Sequence, residues 1–149
     1  MDYRLATFDD LRVGQQASFS KTITEADISH FVALSGDVNP LHVNEVFARQ
    51  TFFGGRIAHG LLSASLLSTI VGMLLPGVGA IYRSQTLEFL RPVRIGDTLT
   101  ASAQVISLDA EANRIELECR IVNQAGDEVI RGAAAVSLLR GMGAPAAAE

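Results

Sequence analysis

Residues 58–75 read AHGLLSASLLSTIVGMLL, and this apolar segment decides the fold. It contains no Asp, Glu, Lys or Arg, yet its strongly apolar part, residues 61–75, is shorter than the roughly 20 residues that span a bilayer. Serines and a threonine interrupt it, and Pro76 stops it. The segment therefore predicts one long helix, buried on nearly all sides within a soluble fold, and no membrane span.

The second half of the chain alternates apolar and polar residues with the period of a β-strand. Strands are predicted at residues 18–22, 81–90, 98–105, 114–121 and 129–139. An antiparallel sheet with one solvent-exposed face must bury its other face against a second layer, and only the segment 58–75 is large enough to form that layer. The prediction is an α+β fold, with an antiparallel β-sheet wrapped around one long buried central α-helix.

The segment before the central helix carries clear helix boundaries. Thr24 and Asp27 form the pattern of a capping box, and the helix that they start ends at Gly36. Pro40 prevents residues 37–43 from continuing this helix. Asn44 is predicted to cap a short helix that runs through Gln50. Gly54 and Gly55 then predict a break in the chain before the central helix.

Composition narrows the classes of function. A length of 149 residues predicts a single domain, 1–149, with a flexible tail at 141–149 because that stretch has little to bury. A net charge of −4 without a Lys/Arg-rich run argues against nucleic acid. The hydrophobic content of 48% indicates that more surface is buried in a homodimer or a dimer of dimers. A single cysteine, Cys119, and a start without a signal peptide predict the cytoplasm.

Asp37 and His42 are the candidates for acid–base chemistry. They lie five positions apart across a proline-stiffened turn, which could point both side chains into one space. A carboxylate and an imidazole so placed can hold one water molecule, one group accepting its proton while the other orients it. The same residue types also suit a plain turn, in which Asp37 and Asn39 accept hydrogen bonds from backbone amides. The residues alone leave both interpretations open.

Metal sites fit this loop poorly. A calcium loop would need a third oxygen ligand where Leu41 stands and a glycine where His42 stands. Zinc bound by His42 and His59 would lack the usual close ligand spacing. No metal is predicted, and His59 is interpreted as a structural or capping histidine.

Gly60 lies at the start of the central helix, where amide protons have no partner within the helix. Without a side chain its amide is unobstructed, so a thioester oxygen could approach it closely. A glycine there could equally serve close packing alone.

A longer motif contains these residues. Residues 31–42 (FVALSGDVNPLH), Phe47-Ala48, residues 57–61 (IAHGL) and the later Phe89, Pro92, Val93, Gly96 and Asp97 resemble the signature of the MaoC-like dehydratases. Within that family the chain is similar to the single-domain (R)-specific enoyl-CoA hydratases, from about residue 9 to 140. One departure is Gly36, where several relatives carry an acid.

The resemblance implies a hot-dog fold and a hydro-lyase that adds water reversibly to trans-2-enoyl-CoA, giving (R)-3-hydroxyacyl-CoA in fatty acid metabolism. Asp37 and His42 would activate the water, the Gly60 amide would bind the thioester carbonyl, and Asn39 would shape the loop and orient His42. It also implies a dimer with substrate entering near the subunit interface. No metal or redox cofactor is implied, because CoA is part of the acyl-CoA substrate.

Besides Asn39, two sets of residues are candidates for substrate binding. Helical spacing suggests that Ser68, Val71 or Leu75 lines an apolar slot for the acyl chain, although each also suits core packing. Arg83, Arg91 and Arg94 could meet the phosphates of CoA, or could be solvated charges at strand ends.

Three other functions share this fold. A hot-dog thioesterase would place a carboxylate on or beside the central helix, but the chain has none between Glu45 and Glu88. A 3-hydroxyacyl-ACP dehydratase would use the same chemistry on carrier-protein substrates. A non-catalytic acyl-CoA-binding subunit would not need Asp37, His42 and Gly60. The sequence leaves acyl-chain length and the direction of reaction open.

Overall fold

The computed structural model of the chain describes residues 4–140, so the predicted flexible tail at 141–149 lies outside the described residues. One antiparallel sheet has the strand order β1-β4-β5-β6-β2, with β3 also paired to β6. Its strands are β1 Gln16–Thr22, β2 Ala80–Gln85, β3 Glu88–Phe89, β4 Thr98–Asp109, β5 Arg114–Val122 and β6 Glu128–Leu138. Every pairing is antiparallel, as the alternating sequence predicts.

Short helices precede and cross the sheet. A 3₁₀ turn at Phe8–Asp10 is followed by α1 Glu25–Ser35, α2 Pro40–Val43, α3 Glu45–Arg49, α4 Gly60–Ala64, α5 Leu66–Thr69 and a π-helical turn at Ile70–Leu74. The capping box of Thr24 and Asp27 is confirmed, and Gly36 ends α1 in the left-handed conformation. Asn44 caps α3, as predicted, by accepting a hydrogen bond from the Phe47 amide.

The predicted central helix is present, with irregular turns. The helical backbone begins at Gly60 instead of Ala58, because His59 is extended, and it continues to Leu74 through an irregular turn at Ser65. There the Ser65 hydroxyl donates to the Leu62 carbonyl, a local bond that competes with regular helical bonding. The prediction that the central segment is buried on nearly all sides is wrong for a single copy of the protein, because Leu61 and Met73 are 61% and 62% exposed.

The core lies between this segment and the inner face of the sheet. Leu66, Leu67 and Ile70 pack into one cluster with the inward-facing residues of the strands. These are the apolar members of the predicted alternation, including Leu99, Ala101, Ala103, Val105, Ile115, Leu117, Cys119 and Ile121. The α+β layering is therefore confirmed. No helix in residues 4–140 is long and apolar enough to cross a membrane.

The strand predicted at residues 81–90 is interrupted, and Gly132 on β6 shows why. Strand β2 ends at Gln85 and β3 begins at Glu88. Between them the main-chain carbonyl of Thr86 passes directly over Gly132, where a Cβ atom would come within 1.8 Å of that oxygen. The chain can approach so closely only because residue 132 has no side chain.

Replacing Gly132 by alanine is therefore expected to destabilise the protein. The backbone near Thr86 must move, and overpacking of this kind typically costs about 1–3 kcal/mol. Urea unfolding followed by circular dichroism measures the change. Ser107→Ala, an exposed position on β4, is the matched control and should stay within about 0.5 kcal/mol of the parent. If both variants changed the free energy of unfolding equally, the close approach of Thr86 to residue 132 would not be the cause.

Candidate active site

Asp37, His42 and His59 come together beside the first turn of α4. Asp37 lies in the loop after α1, His42 is on α2, and His59 directly precedes α4. One carboxylate oxygen of Asp37 and one ring nitrogen of each histidine lie within 4.8 Å of one another. A single water molecule can bridge polar atoms at such separations. The structure thus brings together the two residues predicted to act on water.

The loop that carries Asp37 also makes the turn contacts that the sequence left open. Asp37 Oδ1 accepts a hydrogen bond from the Asn39 amide at 3.1 Å, and Asn39 Oδ1 accepts one from the Leu41 amide at 3.1 Å. Residues 37–43 do not continue α1, as predicted, but Pro40–Val43 forms a helical turn of its own. Proline at the first helical position permits this, because its missing amide proton is not needed there.

A backbone carbonyl orients His42. The Nδ1 atom of its ring lies 2.8 Å from the carbonyl oxygen of Ile57. Because a carbonyl only accepts, Nδ1 carries the proton, and Nε2 keeps the lone pair that can take a proton from water. The prediction that Asn39 orients His42 is not supported, since the Asn39 side chain caps α2. Ile57 was missed because a main-chain acceptor leaves no signal in residue types.

His59 contacts both residues of the pair. Its Nε2 atom lies 3.1 Å from the main-chain carbonyl oxygen of Asp37, and its ring stacks on that of His42 with centroids 3.8 Å apart. Phe31 packs near the His59 ring at 4.9 Å. His59 occupies the N-cap position of α4 but its side chain makes no capping hydrogen bond, so the capping interpretation is wrong.

This cluster does not fit a metal ion. His42 Nδ1 and His59 Nε2 are each directed at a carbonyl oxygen. Each ring therefore has one nitrogen left, and the rings lie face to face with centroids 3.8 Å apart and a tilt of 31°, whereas zinc binds imidazole nitrogens that converge on one point at about 2.0–2.1 Å. Among the described residues, the geometry of these side chains therefore suits proton transfer better than coordination.

Gly60 lies at the first position of α4, beside a cavity of about 550 Å³ that His42 also lines. No hydrogen-bond acceptor for its amide is found within residues 4–140. A Cβ atom at Gly60 would lie 2.7 Å from the Phe89 ring, so close packing is also present. The rest of the wall is mostly apolar, with Phe52, Phe53, Ile57, Leu61, Phe89, Leu90, Pro92, Val93 and Ile130.

The predicted acyl-chain residues lie away from this cavity. Val71 and Leu75 are buried in the core, and Ser68 lines a separate groove with Tyr82 and Arg83. Helical spacing predicts which residues of the central segment share a face, but it does not predict which face of the segment borders the cavity. The aromatic wall of Phe52, Phe53 and Phe89 was missed because it joins two distant segments.

Only one of the three candidate arginines lines the cavity. Arg91 does so with an exposed guanidinium group, which also donates to the Glu128 carbonyl at 3.1 Å. Arg94 instead donates to the backbone carbonyls of Gly55 and Phe53. Arg83 donates to the Ser137 hydroxyl.

Arg56 connects α2, which carries His42, to α1 and α3. Its guanidinium group donates two hydrogen bonds to Glu25 on α1, at 2.9 and 2.7 Å, and a longer one to the carbonyl oxygen of His42 at 3.4 Å. Its backbone amide donates to Glu45 on α3. The hydrogen bond from Arg56 lowers the pKa of Glu25. Arg49, and then the Arg56 amide, lower the pKa of Glu45.

Replacing Arg56 by methionine is expected to lower the free energy of unfolding by about 1 kcal/mol at pH 7. The folded pKa of Glu25 lies below its unfolded value of about 4.3, so the stabilisation is complete above that value and is lost as the pH falls through the folded pKa. The difference between parent and variant should therefore shrink between about pH 5 and pH 3. Urea unfolding at several pH values measures it.

The control for this variant is Arg114→Met, which removes an exposed pair with Glu116 on β5. Arg114→Met should lower the free energy of unfolding by less than about 0.5 kcal/mol. A difference for Arg56→Met that grows towards acid pH would contradict the role of the Glu25 pair.

Comparison with known proteins extends these observations. The family model described as MaoC like domain matches residues 10–126. An (R)-specific enoyl-CoA hydratase from Rhodospirillum rubrum is 49% identical over 137 residues, covering 91% of this chain and 93% of the relative. A 3-hydroxybutyryl-CoA dehydratase from Methylorubrum extorquens is 45% identical, over 87% of this chain and 81% of that protein.

Solved structures show the same likeness in three dimensions. The (R)-hydratase from Aeromonas caviae involved in PHA biosynthesis gives a TM-score of 0.83 at 43% identity, covering 87% of this chain and 98% of that chain. The unliganded R-hydratase from Pseudomonas aeruginosa gives a TM-score of 0.84 at 37% identity, covering 97% of each chain. The similarity therefore extends over most of the chain, in sequence and in fold.

Proposed function

Since the chain belongs to the MaoC-like domain family and has the hot-dog fold of its hydratases, we propose that it is an (R)-specific enoyl-CoA hydratase. It adds water reversibly to trans-2-enoyl-CoA and gives (R)-3-hydroxyacyl-CoA. One observation carries the proposal: the Asp37 carboxylate and the His42 ring converge at the start of α4, where His42 and Gly60 line the same cavity.

The reaction follows from the chemistry of these groups. A water molecule held between Asp37 and His42 loses a proton to the pair, and its oxygen forms a bond to carbon 3 of the substrate. The electron pair of the double bond moves towards the thioester, and negative charge builds on the carbonyl oxygen. The Gly60 amide donates a hydrogen bond to that oxygen. A proton from the pair then reaches carbon 2, so that water is added overall.

The cavity provides the substrate site of this proposal. Its apolar wall, with Phe52, Phe53 and Phe89, suits an acyl chain. Arg91 at its edge is placed to meet a phosphate of CoA. CoA belongs to the substrate, and the proposed steps use only Asp37, His42 and Gly60, without a separate cofactor.

We also propose that the working protein is a cytoplasmic homodimer of single-domain chains. Strand β2 is at the edge of the sheet, and the exposed Leu61, Met73 and Leu74 lie on the central segment. A second copy would cover this apolar surface and would place the substrate near the subunit interface. Size-exclusion chromatography with light scattering tests the dimer, and a dimer of dimers is the larger assembly that it would detect.

The test of the function is the loss of the conjugated thioester absorbance of crotonyl-CoA. The parent should consume the substrate, and chiral analysis should find the (R)-3-hydroxy product. Crotonyl-ACP, assayed in parallel, separates a CoA enzyme from a carrier-protein dehydratase. Release of free thiol from saturated acyl-CoA, without hydration of any enoyl-CoA, would replace this proposal by a thioesterase.

A further inference from the structure

His59 touches each part of the proposed site without lining the cavity. Its ring is 2% exposed and lies between Phe31 and His42. Its Nε2 atom reaches the main-chain carbonyl oxygen of Asp37, and its own peptide unit leads directly into Gly60. The residues that line the cavity include His42 and Gly60 but not His59. Asp37 does not line the cavity either, but its side chain is 48% exposed, whereas His59 is buried. Any effect of His59 on the reaction therefore passes through its neighbours.

The hydrogen bond to Asp37 fixes which nitrogen of His59 carries a proton. The carbonyl of Asp37 can only accept, so Nε2 is the donor. The Nδ1 atom is buried and has no hydrogen-bond partner among the described residues. A phenylalanine would fill the same stacked position without burying an unpaired nitrogen, which is unfavourable. The feature that only the histidine supplies is the Nε2 donor.

We infer that His59 is a positioning residue that holds Asp37 in register with the Gly60 amide, an inference that rests on the proposed hydration. The bond from Nε2 joins the loop that carries the carboxylate to the segment that carries the amide donor. Water activation and charge stabilisation require both groups at fixed separations, and a shift of about 1 Å can cost about 10²-fold in rate.

Two variants of His59 separate the donor from the ring. His59→Phe keeps a stacked ring and removes the donor. His59→Gln removes the ring but carries an amide Nε2 that can reach the same carbonyl. The phenylalanine variant should lose about 10²-fold in kcat, with KM changed less than about threefold because the cavity wall is intact. The glutamine variant should recover to within about tenfold of the parent, because the donor is restored.

A readout independent of activity keeps this test separate from that of the function. Hydrogen–deuterium exchange of peptides covering residues 35–43 should be faster in His59→Phe than in the parent, and close to the parent in His59→Gln. If the parent were inactive but the two variants showed these exchange rates, the hydratase proposal would be overturned, while the role of the His59 hydrogen bond in holding Asp37 would be retained. Unchanged kcat and unchanged exchange in a folded His59→Phe variant would overturn the positioning role. Equal losses in both variants would do the same.

Discussion

Replacing Asp37 by asparagine is expected to lower kcat for crotonyl-CoA hydration by about 10²–10⁴-fold while the protein stays folded. The asparagine has the same shape and keeps an Oδ1 acceptor for the Asn39 amide, so the turn of residues 37–39 is preserved. What disappears is the carboxylate charge that, together with His42, takes a proton from water. Initial rates of absorbance loss at saturating substrate measure the effect.

Asp37→Ala is the informative companion, because it removes both the charge and the turn contact. If catalysis depends on the carboxylate, asparagine and alanine should lose activity to a similar extent. If Asp37 serves only the turn, asparagine should retain nearly full activity and alanine alone should lose it. The second pattern would exclude Asp37 from the chemistry and would restore the interpretation of this loop as a simple turn.

Local signals in the sequence predicted much of the fold. The Thr24–Asp27 capping box, the Gly36 terminus and the alternation in strands β4 and β5 depend on residues close together in the chain, and all were found where predicted. The interruption between β2 and β3 was missed because it depends on Gly132, some 46 positions from Thr86. A contact between distant segments leaves no periodic trace in either of them.

The same distinction applies to the candidate site. Asp37, His42 and Gly60 were identified by residue type and motif. In the structure His42 and Gly60 line the cavity, and the Asp37 carboxylate lies beside the His42 ring. The carbonyl of Ile57 that orients His42 and the carbonyl of Asp37 that His59 contacts are main-chain groups, which every residue type possesses. Their roles follow from three-dimensional placement alone. The aromatic wall likewise could not be predicted, because Phe52 and Phe89 lie far apart in the sequence and meet only as residues that line one cavity.

Removing the amide proton of Gly60 is the second change expected to have a large effect. Gly60→Pro deletes this donor at the first position of α4, where proline fits a helix without loss of a hydrogen bond. His59 already has φ −61° and ψ 135°, a conformation that a following proline accepts. If the amide stabilises the thioester oxyanion, kcat should fall by about 10²–10³-fold.

Gly60→Ala is the matched control, because both variants place a Cβ atom against Phe89 but only alanine keeps the amide proton. Phe89 is 51% exposed, so its ring can move aside in either variant. The ratio of the two kcat values therefore removes the shared Cβ contact and reports the replacement of the amide proton by the Cδ atom of proline. A ratio below about tenfold would be too small for the loss of an oxyanion donor. The glycine would then be explained by its packing against Phe89, and the charge would have to be stabilised by another group that lines the cavity.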